Sequence, residues 1–260
     1  MSNTKNFRFV VPGDDPPQIQ GSTHLERLLP YGELALFTDR PANLEEQLAR
    51  AKGAQVIMNT RGAVKWYREA LEQLPELRLI ATCSIGTDMV DLQAAKELGI
   101  MVCNQPGKIA PYVAEHIIGL MFAVAKRASY QTAELKSGRW GLLKNIYLKG
   151  KTIGVIGTGN TGAEVARIAN ALGMKVIAWT YNPSPERARL LGVEFVELDE
   201  LLRTSDVVSI QVRLSDDSYE MLGKREFNLM KPGAIFVNGG RGELINTADL
   251  VDSLNSGHLA

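Results

Sequence analysis

The sequence predicts an α/β protein made of two doubly wound parallel-sheet domains. Short apolar or β-branched runs alternate with segments of helical period along most of the chain, and strands that alternate with helices form βαβ units with parallel sheets. The alternation comes in two series, which are separated by a break, NQPG, at residues 104–107. This break predicts a first domain over residues 1–104 and a second domain over residues 105–260.

The composition limits the classes of partner. The 260 residues are 45% hydrophobic and 22% charged, as in ordinary globular domains. Lys plus Arg equals Asp plus Glu at 29 each, with no basic stripe, so neither nucleic acid nor a membrane is expected as a partner. The N-terminus has no signal-peptide pattern. Cys83 and Cys103 form no disulfide framework or zinc signature. We therefore expect buried free thiols, no metal site and a cytoplasmic location.

Each series contains five predicted strands. The first series reads FRFVV, LALFT, QVIMN, LRLIATC and IMVCN; the second reads TIGVIG, KVIAW, EFVE, DVVSIQ and AIFVN. Asp91 precedes the helical segment LQAAKELG and is expected to be its N-cap. The stretch VAEHIIGLMFAVAKRA, between the series, predicts one long helix that is apolar almost all round. Such a helix suits burial between domains or subunits.

The most informative motif opens the second series. The strand TIGVIG runs into a GxGxxG turn formed by Gly157, Gly159 and Gly162, and a helix and a second strand follow. This context is what a dinucleotide-binding turn requires. The first glycine allows the tight turn, the second lets the backbone approach a pyrophosphate, and the third lets helix and strand pack closely. The amides of Asn160 and Thr161 are expected to face the phosphates at the helix N-terminus.

The position that usually selects the dinucleotide is unusual. A carboxylate normally follows the second strand and binds the ribose hydroxyls, but Thr180 occupies that place. Arg187 and Arg189 lie a few residues further on. They are either ligands of a 2′-phosphate or part of a solvated helix face. The cofactor is therefore expected to be NAD, with NADP not excluded.

Taken in order, several stretches resemble the D-isomer-specific 2-hydroxyacid dehydrogenase family, which includes 3-phosphoglycerate dehydrogenase and glyoxylate/hydroxypyruvate reductase. The likeness runs from about Leu77 to the end, through LRLIATCSIGTDMVD, GIMVCNQPG, VAEHIIGLMFAVAKR, GKTIGVIGTGNTG, LLRTSDVVSIQVRLS and LMKPGAIFVNGGRGELI. It implies a flavodoxin-like substrate domain followed by a Rossmann-like NAD-binding domain whose C-terminal part is absent. It also implies hydride transfer between a nicotinamide and a small D-2-hydroxy or 2-keto acid.

The resemblance also implies roles for individual residues. The loop of Ser84, Ile85 and Gly86 is expected to present amides to the substrate carboxylate. Asn59 and Arg61 are expected to line the wall of the substrate pocket that tunes specificity. Arg61 is either a contact for a second anionic group or a surface side chain. Arg241 is the expected catalytic arginine, which holds the substrate carboxylate and carbonyl. The expected cofactor contacts outside the GxGxxG segment are Thr180, Val212, Gly239 and Gly240.

The family's proton donor is a histidine supported by a glutamate, and both lie beyond the segment that matches this chain. We therefore expect a chain truncated before that pair, which needs the downstream segment for activity. The alternatives are a short non-catalytic dinucleotide-binding or regulatory homologue, and an enzyme completed by another chain. A homodimer is expected through the long apolar helix and the stretch QTAELKSGRWGLLKNIYLKG that follows it.

Overall fold

The computed structural model describes residues 6–260, which divide into two compact units, one that ends at Ile109 and one that spans Ala110–Ala260. The division falls a few residues after the predicted boundary at residue 104. Each unit contains one parallel five-stranded sheet, which confirms the predicted α/β fold class. Along the described residues, no helix has both the length and the apolar character that crossing a membrane requires.

The sheet of the first unit has strand order β2-β1-β3-β4-β5, the order of doubly wound flavodoxin-like sheets. Its core gathers buried residues from the sheet, its helices and their connections, among them Ile57, Trp66 and Ile80. A 3₁₀ helix, Thr23–Tyr31, lies between the first two strands. The strands and helices are β1 (Phe7–Val11), β2 (Gly32–Leu36), α1 (Leu44–Ala51), β3 (Val56–Asn59), α2 (Arg68–Leu71), β4 (Leu79–Thr82), α3 (Leu92–Glu97) and β5 (Met101–Cys103).

The sheet of the second unit has strand order β10-β9-β6-β7-β8, in which the first strand of the unit lies at the centre. This is the 3-2-1-4-5 arrangement of Rossmann-like sheets. The strands and helices are α4 (Ala110–Ala125), α5 (Ala128–Lys136), β6 (Thr152–Ile156), α6 (Asn160–Ala171), β7 (Lys175–Trp179), α7 (Pro185–Leu191), β8 (Glu194–Phe195), α8 (Leu198–Thr204), β9 (Val207–Ile210), α9 (Lys224–Leu229), β10 (Ile235–Asn238) and α10 (Thr247–Asn255).

Asp91 is the N-cap of α3, as predicted, and its carboxylate accepts a hydrogen bond from the Ala94 amide at 2.8 Å. The long helix predicted from VAEHIIGLMFAVAKRA is confirmed as α4, but it ends at Ala125, before the last residues of that segment, and α5 begins at Ala128. Arg127, between α4 and α5, has a left-handed backbone with φ of 52°, a conformation that cannot continue an α-helix. The expectation of buried thiols is wrong for Cys103, which is exposed, while Cys83 is half-buried.

Candidate active site

The glycine-rich turn follows β6 at the carboxyl edge of the second sheet. Gly157 has φ of +93°, which a residue with a side chain rarely adopts. A Cβ on Gly157 would lie 2.8 Å from the Cγ1 atom of Val212, which follows β9. The strand order reverses between β6 and β9, and ligands of doubly wound sheets bind at such a switch point. The structure therefore brings two predicted cofactor residues, Gly157 and Val212, into contact at the expected edge.

The other two glycines of the turn differ in what surrounds them. A Cβ on Gly162 would lie 1.9 Å from the carbonyl oxygen of Gly157, so α6 rests directly on the turn. Gly159 is the N-cap of α6, and a Cβ there would meet nothing within 4 Å. Asn160 and Thr161 begin α6, and the first amides of a helix have no acceptor inside it. Open space in front of unpaired amides suits an anion.

Two buried polar atoms lie at this edge without a partner among the described residues. They are the Thr158 hydroxyl, between the first two glycines, and the side-chain carbonyl oxygen of Gln211, directly after β9. Buried polar groups without partners are uncommon in folded proteins. Both observations fit an edge that is completed by a polar ligand.

The end of β7 carries an unusual set of side chains. Thr180 follows the strand, as predicted, and is half-buried. The rings of Trp179 and Tyr181 meet edge to face, with centroids 4.8 Å apart. Burial, and secondarily the negative charge of Asp217, raises the pKa of the Tyr181 phenol. Arg187 reaches back from α7 and donates through Nη2 to the carbonyl oxygen of Thr158.

The loop after β10 is held by a side chain that the sequence did not single out. The Asn238 Oδ1 atom accepts from the Gly240 amide at 2.9 Å, and its Nδ2 donates to the Arg241 carbonyl oxygen at 2.8 Å. An asparagine ahead of two glycines is a recognisable turn signal. Arg241 is exposed at the end of this loop.

The structure gives packing reasons for both glycines of this loop. A Cβ on Gly239 would lie 2.2 Å from Cδ1 of Ile117 on α4. A Cβ on Gly240 would lie 2.6 Å from Cδ1 of Leu244. Contact of either glycine with a nicotinamide ring stays a prediction.

In the first unit, Ser84, Ile85 and Gly86 follow β4 at the carboxyl edge of its sheet. The Ser84 hydroxyl donates to the Gly86 carbonyl oxygen at 3.0 Å, and Asn104 Nδ2 donates to the Ile85 carbonyl oxygen at 2.8 Å. The amides of Ile85 and Gly86 donate to no acceptor among the described residues. The loop is thus fixed through its carbonyl groups, which leaves two amides for an anion.

The neighbouring loop after β3 contains a strained turn. The Ala63 amide donates to the Thr60 carbonyl oxygen at 2.8 Å across Arg61 and Gly62, whose φ values are 48° and 63°. Positive φ at both central residues defines a type I′ turn, and a non-glycine residue such as Arg61 rarely adopts it. Arg61 is exposed, and its guanidinium has no partner among the described residues.

Asn59 is fully buried under this turn. Its Nδ2 donates to the Val64 carbonyl oxygen at 2.8 Å, and its Oδ1 accepts from the Val64 amide at 3.3 Å. The side-chain amide of Asn59 is therefore used within the loop that carries Arg61.

A buried carboxylate, which the sequence did not reveal, lies close by. Asp14 accepts from the amides of Gln18, Ile19 and Gln20 at 2.8–3.0 Å. Burial alone would raise the pKa of Asp14, but these bonds and the Thr60 hydroxyl outweigh it and hold that pKa below its ordinary value. Burial, and secondarily the charge of Asp14, raises the pKa of the Cys83 thiol. No group of three or more metal-ligating side chains occurs within residues 6–260.

The glycine turn at the switch point of a Rossmann-ordered sheet defines a dinucleotide-binding α/β protein. A family model described as D-isomer specific 2-hydroxyacid dehydrogenase, NAD binding domain, matches residues 118–260, more than half of the chain. The chain belongs to the D-isomer specific 2-hydroxyacid dehydrogenase family, which confirms the resemblance seen in the sequence.

Individual relatives agree with this assignment. The chain is 36% identical to a glyoxylate reductase of Thermococcus litoralis over 74% of this chain and 61% of that protein. It is 41% identical to a hydroxypyruvate reductase of Thermotoga maritima, over 77% of this chain and 65% of that protein. The matched region thus spans less than two thirds of either relative. A solved structure of an acyclic imino acid reductase (Bsp5) in complex with NADPH and D-Arg is similar, with a TM-score of 0.86, 27% identity and coverage of 97% of this chain and 80% of that one.

Proposed function

We propose that this protein acts as an NAD(P)-dependent oxidoreductase that transfers a hydride between nicotinamide and a small D-2-hydroxy or 2-keto acid. The observation that carries the proposal is the glycine turn, in which Gly157 and Gly162 are required by packing while Gly159 faces open space. Packing alone explains the first and third glycines but not the second. A backbone that must approach a pyrophosphate explains the second, Gly159.

Named residues would hold the dinucleotide. The amides of Asn160 and Thr161 bind the pyrophosphate, and Thr180 lies beside the adenosine ribose. Val212, Gly239 and Gly240 line the path towards the nicotinamide. The reduced nicotinamide supplies the hydride when it is bound. NADH is the expected cofactor, and NADPH is expected to bind as well because no carboxylate at position 180 repels its 2′-phosphate.

The proposal divides substrate recognition among three groups. The unpaired amides of Ile85 and Gly86, with Ser84 fixing the loop, bind the substrate carboxylate. Arg241 holds the carboxylate and carbonyl through two parallel N–H bonds, which polarises the carbonyl for hydride addition. Arg61 contacts a second polar or anionic group of the substrate. Asn59 acts by holding the turn that carries Arg61, since its own amide is bonded to Val64.

The proposal assigns proton transfer to a group other than the three histidines of this chain. His24 and His116 are exposed, in the early 3₁₀ helix and on α4. The His258 carbonyl oxygen accepts from the Gly233 amide at 2.7 Å, ahead of the first residue of β10. His258 therefore lies at the end of β10 opposite Gly239 and Arg241.

We also propose that two copies associate through the second unit. Trp140, Leu142 and Tyr147 are 80%, 93% and 69% exposed in the stretch after α5, and exposed apolar patches of this kind usually mark interfaces. Light scattering at micromolar concentration is expected to give the mass of a dimer. A monomer there would contradict this part of the proposal. A cytoplasmic location stays a prediction.

The test of the proposed function separates binding from turnover. Titration with NADH, followed by cofactor fluorescence, is expected to show saturable binding to the 260-residue chain. The chain extended by the downstream segment that the family resemblance implies is expected to oxidise NADH in the presence of glyoxylate or hydroxypyruvate, and Arg241→Lys is expected to remove most of that activity, since an ammonium cannot make the two-point contact. Binding of NADH without turnover of any 2-keto acid would favour a dinucleotide-binding module instead.

A further inference from the structure

The turn that carries Arg61 is covered by a side chain from the neighbouring loop. Gly62, the second central residue of this turn, has φ of +63°, and a Cβ there would lie 2.7 Å from Cγ of Met89. Met89 lies in the loop after β4, shortly beyond Gly86. Its side chain therefore rests directly on the backbone of the turn, with no room for a methyl group between them.

The two loops are also joined through their backbones. The Trp66 amide donates to the Met89 carbonyl oxygen at 2.7 Å, and the Asp91 amide donates to the Trp66 carbonyl oxygen at 2.9 Å. These bonds form a parallel bridge between Trp66 and Val90, and the Trp66 side chain is fully buried. The backbone of Met89 is thus fixed where its side chain meets Gly62.

The conformation of Arg61 needs such support. Its φ of 48° lies in the left-handed region, which is unfavourable for a residue with a side chain. Such conformations persist only where the surrounding structure holds them. The turn is closed by the bond from the Ala63 amide to the Thr60 carbonyl oxygen, and relaxation of Arg61 to a negative φ would turn its side chain in another direction. The contact between Met89 and Gly62 opposes that relaxation.

We infer that Met89 is a positioning residue for Arg61 and thereby a determinant of substrate specificity. This role rests on the proposed function, which gives Arg61 the contact with a second anionic group of the substrate. The guanidinium of Arg61 is exposed and has no partner among the described residues. Because Met89 keeps it aimed at one place, an acid with a second carboxylate gains a fixed counter-charge at little cost in side-chain entropy. The site then prefers dicarboxylic 2-hydroxy acids to acids of the same length that end in a methyl group.

The experiment measures binding of D-malate and D-2-hydroxybutyrate to the 260-residue chain saturated with NAD⁺, by isothermal titration calorimetry. The two acids differ only in ending with a carboxylate or a methyl group. The wild type is expected to bind D-malate about 10-fold or more tightly, the range of a charge-assisted hydrogen bond. Met89→Ala is expected to reduce this preference about 3- to 10-fold and to change the affinity for D-2-hydroxybutyrate by less than about 2-fold. Met101, which is 65% exposed on β5 of the same unit, provides the matched control Met101→Ala, which is expected to leave both affinities unchanged.

Three further variants show whether Met89 acts through Arg61. Arg61→Ala removes the guanidinium, and in that background Met89→Ala is expected to have no further effect on the preference. Met89→Leu keeps a similar volume over Gly62 and is expected to keep the preference. Gly62→Asn disturbs the same contact from the other side, because asparagine tolerates the positive φ but its Cβ would lie 2.7 Å from Cγ of Met89. This variant is expected to lower the preference as Met89→Ala does.

Other results overturn this role in distinguishable ways. An equal loss of both acids in Met89→Ala would mean that Met89 only supports the loop. An unchanged preference in Met89→Ala, or in Gly62→Asn if Met89→Ala does not fold, would mean that the contact does not orient Arg61. A further loss of preference in the Arg61→Ala background would mean that Met89 acts by another route.

The wild-type chain separates failure of this role from failure of the proposed function. Equal affinity of the wild type for the two acids would remove the second anionic contact, and with it the role of Met89, while binding of both acids would leave the proposed function intact. A wild-type chain that binds neither acid in the presence of NAD⁺ would contradict both.

Discussion

Replacing Gly159 by alanine separates ligand binding from folding at the glycine turn. The backbone of Gly159 has φ of −67° and ψ of −166°, which alanine adopts without strain. A Cβ there meets no protein atom within 4 Å. The cost to folding is therefore that of replacing a glycine N-cap by alanine, no more than about 1 kcal/mol. For a chain of this size that lowers Tm by about 2–4 °C.

The same methyl group occupies the space that the proposed function gives to the pyrophosphate. Keeping the phosphate away from the first amides of α6 removes one or more charge-assisted hydrogen bonds, each contributing about 1.5–3 kcal/mol. The affinity for NADH is expected to fall about 10- to 100-fold. Isothermal titration with NADH and differential scanning fluorimetry measure the two effects on one sample.

Gly162→Ala is the matched contrast. Its Cβ would lie 1.9 Å from the Gly157 carbonyl oxygen, and backbone cannot swing aside as a side chain can. Overpacking of this kind costs about 3 kcal/mol or more, so Tm is expected to fall by about 6–12 °C and binding to be lost as well. The reasoning would be refuted if folded Gly159→Ala bound NADH as tightly as the wild type, or if Gly162→Ala kept the wild-type Tm.

Three further changes test other parts of the molecule. Thr180→Asp is expected to shift the ratio of NADPH to NADH affinity towards NADH, because a carboxylate accepts ribose hydroxyl bonds and repels a 2′-phosphate; an unchanged ratio would disprove the placement of Thr180. Asp14→Asn is expected to lower the free energy of unfolding by about 1.5–3 kcal/mol, because the NH₂ group of the new asparagine would face a backbone amide that is itself a donor. Urea denaturation measures this change, and replacement of the exposed neighbour Asp15 by Asn is the control. The pKa of Asp14 is lower in the folded state than in the unfolded state, so the ionised carboxylate stabilises the fold at any pH above its unfolded pKa, and this stabilisation is lost on acidification below about pH 4. The wild type is therefore expected to lose more stability with falling pH than Asp14→Asn. Leu142→Asp is expected to yield monomers in light scattering, whereas a dimer with the wild-type mass would exclude this stretch from the interface.

Most of the fold could be predicted from the sequence because the patterns that indicate strands, helices and turns are periodic and local. Each of the ten strands within residues 6–260 coincides with an apolar run in the sequence, and the GxGxxG turn follows from the geometric needs of three glycines. The end of α4 was missed because Arg127 takes a left-handed backbone within a run of good helix formers. No local pattern indicates such a residue.

The candidate site was predictable in its backbone but not in its side-chain partners. The alternation of strands and helices alone predicts that the loops after the strands of one sheet lie at the carboxyl edge of that sheet. The bond from Arg187 to Thr158 and the bonds of Asp14 to its following loop depend on where side chains point after folding. The burial of Asn59 was missed for the same reason: an asparagine at a strand end has the same sequence pattern whether it faces a ligand or braces a turn.

The contact between Ile117 and Gly239 also affects how sequence differences within the family should be interpreted. With a Cβ at residue 239 lying 2.2 Å from the Ile117 side chain, these two positions share one fixed volume. A relative with alanine or a larger residue at the position of Gly239 must carry a smaller or differently shaped residue at the position of Ile117. The two positions are therefore expected to covary, although one lies on a helix and the other in the loop ahead of Arg241. A substitution at the position of Ile117 on the helix would then move the loop that carries the proposed catalytic arginine.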